Sequence, residues 1–326
     1  MNKVLCYCEM NTSTGFGHFS RINILLKILC LKRVNIITEN YSYAKKYFKG
    51  HKIIKNNNLF QYLNLNINKY NLLILDPPYY PAKKNDYKKF SLKFKKIFYN
   101  KRKTFKTLWL TDETKPSPKY CDVLVNDFPE STRFKKYYLK FNKKIKLILG
   151  IYSFLFQKKI FKTKNKKHIL IAFGGDDPKN LIFKYFDFLK NIDEKKIFIT
   201  NKKVFKRIKK YQDRNNLIIK KKEPKEKFLK LLSQSKSYIS TPSNIMFEAW
   251  SLGIPGNVIP IQKRQLEMGK SFKKLKIVNL LPYYNEISFL SLKRKIKFKF
   301  SKFKIKFKKN KALHTHKQIK SFLNLD

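Results

Sequence analysis

A chain of 326 residues with 75 Lys and Arg against 21 Asp and Glu carries a formal charge of +54, and its length suits two domains. Apolar residues make up 43% of it and aromatics 15%, enough to fill two cores, so disorder is excluded despite the charge. Only eight of the basic residues are Arg, which leaves 67 Lys. A nucleic-acid reader leans on the planar Arg fork, so the surplus reads as a solvated lysine surface with no specific nucleic-acid partner. Abundant Asn, Ile, Phe and Tyr point the same way, since these residues and Lys share A/T-rich codons. A positive field still draws anions, among them nucleotides and the anionic face of a membrane.

Cys6, Cys8, Cys30 and Cys121 have neither disulfide-framework nor zinc spacing. Cys6 and Cys8 alternate in an apolar run, as thiols on one face of a buried strand do. No stretch approaches 18 uncharged apolar residues and no secretory core is present, so a cytoplasmic chain without a spanning helix is expected. A monomer is expected too.

In chain order, residues 4–7 read as a strand, 11–17 as a loop of small residues, and 19–31 as a helix with Ile22, Leu25, Leu26 and Leu29 at helical spacing. Strands are predicted at 34–38, 53–54, 72–75, 107–111 and 122–125. The fourth of these six ends at Asp76 before Pro77-Pro78, which cannot continue a ladder, and the fifth ends at Asp112. A lysine-rich link at 157–167 follows. The alternation then restarts with a strand at 168–173, a turn at Gly174-Gly175-Asp176-Asp177 and a helix at 181–189. Strands are predicted at 197–200, 217–219, 237–239 and 258–261, with helices at 228–232 and 245–252. The last helix starts at Pro242-Ser243 and stops at Gly253 with Pro255.

Short apolar strands alternating with helices predict α/β architecture: two Rossmann-like, doubly wound parallel-sheet domains facing a cleft, with ligands beyond the strand C-termini. The expected division is 1–150, 151–290 as the nucleotide-binding domain, and 291–326 as a basic tail with a terminal helix. Residues 292–309 alternate lysine and apolar side chains with period two. An edge strand blunted by lysines is the favoured reading, a basic surface for anionic lipid the other.

Three polar clusters of the first half, Gly15–His18, Asp76–Tyr80 and Asp112–Lys115, fall at strand ends. Gly15-Phe16-Gly17-His18 follows a strand and opens a helix, where glycines admit close backbone approach and free N–H groups favour an anion. A neutral imidazole at His18 can take a proton, and Arg21 lies one turn on. Gly174–Asp177 has the strand–turn–helix setting of a phosphate cradle. It lacks both GxxxxGK[ST] and GxGxxG, which argues against a P-loop enzyme and a dinucleotide dehydrogenase. Asn244 and Glu248 stand four apart on one helix face, where a carboxylate can accept both hydroxyls of a ribose. Asp76 and Asp112 each have two readings, a cap for loop amides or a ligand contact. His51, His314 and His316 read as surface residues, and His168 as structural.

Four blocks together carry a resemblance: Gly15-Phe16-Gly17-His18-x-x-Arg21; Asp112-Glu113-x-Lys115-Pro116 with Cys121-Asp122-x-Leu124-Val125-Asn126; Phe173-Gly174-Gly175-x-Asp177-Pro178-x-Asn180-Leu181; and Ser243-x-x-x-x-Glu248-Ala249. Over residues 3–270 the chain resembles the PseG-type UDP-sugar hydrolases of pseudaminic acid biosynthesis, relatives of the MurG-type GT-B glycosyltransferases. The resemblance implies hydrolysis of a UDP-linked 2,4-diacetamido-2,4,6-trideoxy hexose at the anomeric carbon, with no metal and no cofactor. It implies His18 as general base, Arg21, Tyr79 and Asp112 beside it, and Gly15 and Gly17 shaping the loop. Gly174, Gly175, Asp177, Ser243 and Asn244 would hold the pyrophosphate, Glu248 the ribose and Gln262 the donor sugar. The chain departs from the family at Asp176, where Ser or Thr is usual, at Pro77-Pro78, which displace a His-Tyr pair and leave Tyr79 in that role, and around Tyr152 and Gln157. A GT-B transferase would use the same His18 on an acceptor hydroxyl, so the motif leaves water and acceptor both open.

Overall fold

The computed structural model describes residues 3–8, 17–55, 59–76, 97, 105–112, 120–155, 166–174, 177, 179–212, 216–296 and 307–323. The chain divides into two compact units, residues 1–156 with 310–326, and residues 157–309.

The first unit runs β1 (Val4–Cys8), α1 (Gly17–Ile28), β2 (Asn35–Thr38), α2 (Tyr41–Tyr47), β3 (Lys52–Lys55), α3 (Leu59–Asn66), β4 (Leu72–Asp76), β5 (Lys106–Thr111), β6 (Val123–Asn126), α4 (Lys135–Phe141) and β7 (Lys146–Leu149). Its seven strands pair in the order β3-β2-β1-β4-β5-β6-β7, every pair parallel. Both faces of such a sheet are covered, which is why the central strands β1 and β4 are near-continuous apolar runs, broken at Asp76. Cys6, Ile74, Leu108 and Val123 pack with Phe19, Ile22, Leu25 and Leu26 of α1. Leu5, Leu73, Trp109 and Leu124 face the opposite layer, with Leu59 and Leu63 of α3 and Tyr138 of α4. Cys6 and Cys8 share the first layer, as their alternation predicted. Burial there pushes the Cys6 thiol pKa far up.

Helix α1 ends three residues earlier than its apolar spacing predicts. Cys30 takes φ +56°, and the Leu31 N–H turns back to the Leu26 carbonyl at 2.9 Å, so a left-handed residue closes the helix. Phe19, fully buried, meets Phe48 at 5.0 Å and Tyr47 at 5.8 Å between ring centroids. That contact binds α2 to α1.

The second unit runs β8 (His168–Ile171), α5 (Leu181–Lys190), β9 (Lys196–Thr200), α6 (Lys202–Ile208), β10 (Leu217–Lys221), α7 (Lys225–Ser233), β11 (Ser235–Ser240), α8 (Asn244–Ser251), β12 (Gly256–Val258), α9 (Lys263–Lys274), β13 (Val278–Leu280) and α10 (Phe289–Lys295). Its sheet has the order β10-β9-β8-β11-β12-β13 and is again wholly parallel. The strand predicted at 258–261 is instead Gly256–Val258, because Pro260 has no N–H to give a ladder.

Two C-terminal expectations change. Residues 292–295 belong to a helix, not to a period-two strand: Ser288 caps α10 by accepting from the Ser291 N–H at 3.1 Å, and Leu292 is fully buried with Ile287 and Ile296. Residues 297–306 of that stretch lie outside the described residues. The last helix, α11 (Lys309–Leu323), packs on the first unit through Ile319 and Leu323, which join the layer of α1. His316, expected on the surface, is 4% exposed, since it lies three residues before Ile319 on that inward face. No helix among the described residues is long and apolar enough to cross a membrane.

Candidate active site

Strand order reverses between β1 and β4, so the chain leaves their C-terminal ends in opposite directions and opens a crevice there. Register puts Cys8 opposite Asp76, which sets the end of β4 beside the end of β1. Gly17 is the first residue of α1, His18 follows it, and Arg21 is one turn on. Three residues of spacing put His18 and Arg21 on one helix face, toward Asp76. The His18 Nδ1–H donates to Asp76 Oδ1 at 2.8 Å. Arg21 donates from Nε to Asp76 Oδ2 at 3.0 Å and from its NH2 group to Oδ1. Its other terminal nitrogen lies 3.6 Å from Asp127, just past the end of β6. His18, Arg21, Asp76 and Asp127 are all buried, Asp76 completely.

Four ionisable groups in one dry place settle their charges by pairing. Burial works against the Arg21 cation, but Asp76, then Asp112 and Asp127, more than offset it, and the guanidinium is held charged. Burial would raise the Asp76 carboxyl. Arg21 and then His18 outweigh that, and it titrates below the usual carboxylate range. Asp76 therefore stays ionised and fixes the imidazole by its Nδ1–H. That tautomer leaves the lone pair on Nε2, and the carboxylate steadies the cation that forms when Nε2 takes a proton. The 3.4 Å approach of Arg21 to Nδ1 is then only a near contact, because Nδ1 already carries a proton.

The second sheet repeats the reversal between β8 and β11. Gly174 follows β8 at φ +74°, a left-handed position that suits glycine. Asp177 accepts from the Leu181 and Ile182 amides at 2.8 and 2.9 Å and so caps α5. Its carboxyl is raised by burial, with those two amides pulling the other way. The end of β11 leads through Ser243, the N-cap residue of α8, to Asn244. Ser243 Oγ has no hydrogen-bond partner among the described residues. Glu248, 4% exposed, accepts from Lys225 Nζ through Oε1, while Oε2 is buried without a partner among the described residues.

Of the residues singled out in the sequence, His18 and Arg21 come together, and Asp112, half-buried after β5, stands in electrostatic reach of Arg21. Gly17 opens the helix that carries them. Gly174, Asp177, Ser243, Asn244 and Glu248 gather at the C-terminal edge of the second sheet. Gln262 is exposed at the N-cap of α9. Gly15, Tyr79 and Gly175 lie outside the described residues. Sequence reasoning left three partners unassigned. Asp76 was legible as a polar residue ending an apolar strand, but not as the anchor of His18. Asp127 and Lys225 had no motif to mark them.

No family model matches the chain. Among curated proteins it is 32% identical over 204 residues to the uncharacterized protein MJ1062 of Methanocaldococcus jannaschii, a match over 56% of this chain and 42% of that protein. The chain thus spans less than half the length of that relative. Among solved structures, MurG of Acinetobacter baumannii matches with a TM-score of 0.60 at 13% identity, over 97% of this chain and 95% of its own. Several others are glycosyltransferases. The fold is that of the GT-B glycosyltransferases. A UDP co-structure of MnaA from S. aureus matches at a TM-score of 0.57 and 11% identity, over 100% of this chain and 98% of its own.

Proposed function

We propose that the chain is a metal-independent hydrolase of a UDP-linked 2,4-diacetamido-2,4,6-trideoxy hexose, acting in pseudaminic or a related nonulosonic acid biosynthesis. The observation that carries this reading is the Asp76–His18 pair: a buried, ionised carboxylate that holds an imidazole with Nε2 as acceptor at the end of a Rossmann-like sheet. Nε2 takes a proton from water, the water oxygen bonds to the anomeric carbon, and the bond from that carbon to the diphosphate oxygen breaks. The electron pair leaves with UDP. Asp76 stabilises the imidazolium, and Arg21 keeps Asp76 ionised while the proton is held.

The second unit supplies the nucleotide's seat in this reading. Glu248 Oε2 and Ser243 Oγ are without partners among the described residues, and ribose hydroxyls suit the first. The N-terminal turn of α8 offers amides to phosphate oxygens. Asp177 already occupies the corresponding amides of α5, so the diphosphate is assigned to Ser243 and Asn244, with Gly174 giving backbone room. MnaA crystallised with UDP supports a uridine diphosphate ligand on this fold.

A transferase is the second reading, favoured by the glycosyltransferases among the structural matches. There the same Nε2 deprotonates an acceptor hydroxyl. UDP release from the UDP-sugar without any acceptor, in wild type and His18→Ala, separates the two. Acceptor-free turnover that falls about 100-fold or more in the variant supports the hydrolase. Tight UDP binding with no turnover overturns it in favour of the transferase.

A further inference from the structure

The carboxylate assigned to the ribose has a partner of its own that the proposed reaction does not use. Lys225 is the first residue of α7, and its ammonium donates across to Glu248 Oε1 on α8. A cation there works against its own helix, because the first turn carries the positive end of the helix dipole. Pro224 before it gives no side-chain cap. Neither the dipole of α7 nor a cap calls for a lysine there. The side chain is nevertheless steadied, with Nζ 5.9 Å from the ring centroid of Phe228 one turn on. Lys225 keeps 32% of its side chain exposed against 6% for Glu248, so the lysine lies toward the surface and the carboxylate inward.

The two oxygens of Glu248 are therefore unequal. Oε1 is taken by Lys225, and Oε2 is buried without a partner among the described residues. A buried acceptor left open is costly unless a ligand completes it. Fixing one oxygen of a planar carboxylate also fixes the direction of the other. The ammonium further offsets a charge that would otherwise repel a nearby diphosphate.

We propose that Lys225 is a positioning residue for a nucleoside diphosphate, holding Glu248 so that Oε2 accepts from the ribose diol. This rests on the second unit being the nucleotide's seat. Calorimetry with UDP and 2′-deoxy-UDP tests it on the full chain as wild type, Lys225→Met and Lys225→Arg. Wild type is expected to prefer UDP by about tenfold, the value of one hydrogen bond to a charged group. Lys225→Met loses that preference by binding UDP about tenfold more weakly, and Lys225→Arg recovers most of it. In turnover KM rises while kcat changes less than about twofold, because the ribose contact is the same in ground and transition states. Should Lys225→Met not fold, Lys225→Gln, whose amide stands one atom short of the ammonium and carries no charge, leaves Oε1 unheld and is expected to lose most of the preference.

Folded Met or Gln variants that keep the full preference overturn the role of Lys225 while leaving the nucleotide seat intact. A wild-type chain that binds neither nucleotide overturns the seat and the proposal with it, and one that binds both equally overturns the ribose contact and the role of Lys225.

Discussion

Replacing Asp76 by Asn changes the most buried point of the first-unit site by one charge and one acceptor, at nearly constant volume. Arg21 then loses the carboxylate that it meets with two nitrogens, and among the described residues Asp127 at 3.6 Å and the more distant Asp112 remain to offset its charge. Breaking a buried ion pair by removing one partner costs about 3–5 kcal/mol. The two remaining acids place this case at the low end, about 3 kcal/mol, out of a total of roughly 5–15 kcal/mol for a typical domain. The first unit should still fold at 25 °C, with a lower urea midpoint. Catalysis should suffer more. An Asn amide can present its NH2 to Nδ1, which forces the proton onto Nε2 and removes the base, a change of tautomer worth about 10³–10⁴-fold in turnover.

The measurement is urea unfolding followed by tryptophan emission, beside acceptor-free UDP release. The folded Asp76 carboxyl lies below its unfolded value, so its contribution is complete above about pH 4 and is lost as pH falls through the lower folded value. The stability gap between wild type and Asp76→Asn must therefore narrow below about pH 4. Turnover within tenfold of wild type would refute the orienting role, and an unchanged urea midpoint would refute the energetic one.

Three further outcomes follow from particular contacts. His168 is 3% exposed, and burial, partly countered by a bond to the Leu231 carbonyl and joined by Lys195, lowers its pKa to about 4; a folded value below the unfolded one of about 6.5 means stability falls between pH 6.5 and 4, by about 2 kcal/mol at pH 5. Chemical denaturation at pH 7 and pH 5 checks this, and His168→Gln should flatten the difference. A Cβ on Gly256 would come within 2.3 Å of the buried Tyr238 ring, so Gly256→Ala should cost about 2–3 kcal/mol, read from the second unit's urea midpoint. Ile319→Ala, at the buried face of α11, should cost about 2–4 kcal/mol and speed amide exchange in β1 and α1 while leaving β8 and β11 unchanged.

The fold was legible wherever apolar runs were short and bounded. Strands β1, β4, β5 and β8 sit within a residue or two of their predicted limits, because apolar strands in a doubly covered sheet announce themselves. Helices α2, α6 and α9 went unread. Their surfaces are so loaded with lysine that the apolar stripe thins to a few positions, such as Ala44 in α2 or Val204 and Ile208 in α6. Strand β7 was missed for a similar reason, as its Lys-Leu-Ile-Leu run is half-exposed at the sheet edge. The return of α11 to the first unit was beyond reach, since helical spacing in Ile319 and Leu323 reveals an apolar face but not the surface that covers it. At the site, His18, Arg21 and Glu248 could be named from motif and spacing. Their partners Asp76 and Lys225 could not, because 58 and 23 residues of separation are closed only by strand order and helix packing.

The two switch points have the same topology, but the base of the first is held by its neighbours while the recognition groups of the second are left open, and that difference assigns their work. In the first unit the ionised groups pair with one another: Arg21 takes both oxygens of Asp76, and His18 shares one of them. His18, Asp76 and Arg21 are thus joined before any ligand arrives, which is the condition for a base whose tautomer must not be rearranged during reaction. In the second unit Ser243 Oγ and Glu248 Oε2 are left open among the described residues. Open acceptors are poor catalysts but good recognition groups, because the ligand that donates to them recovers their desolvation cost and an analogue lacking those donors does not. Preorganised chemistry on one sheet and incomplete hydrogen bonding on the other therefore predict where a mutation is felt. Changes at Asp76 or His18 should fall on kcat, and changes at Ser243, Glu248 or Lys225 on KM.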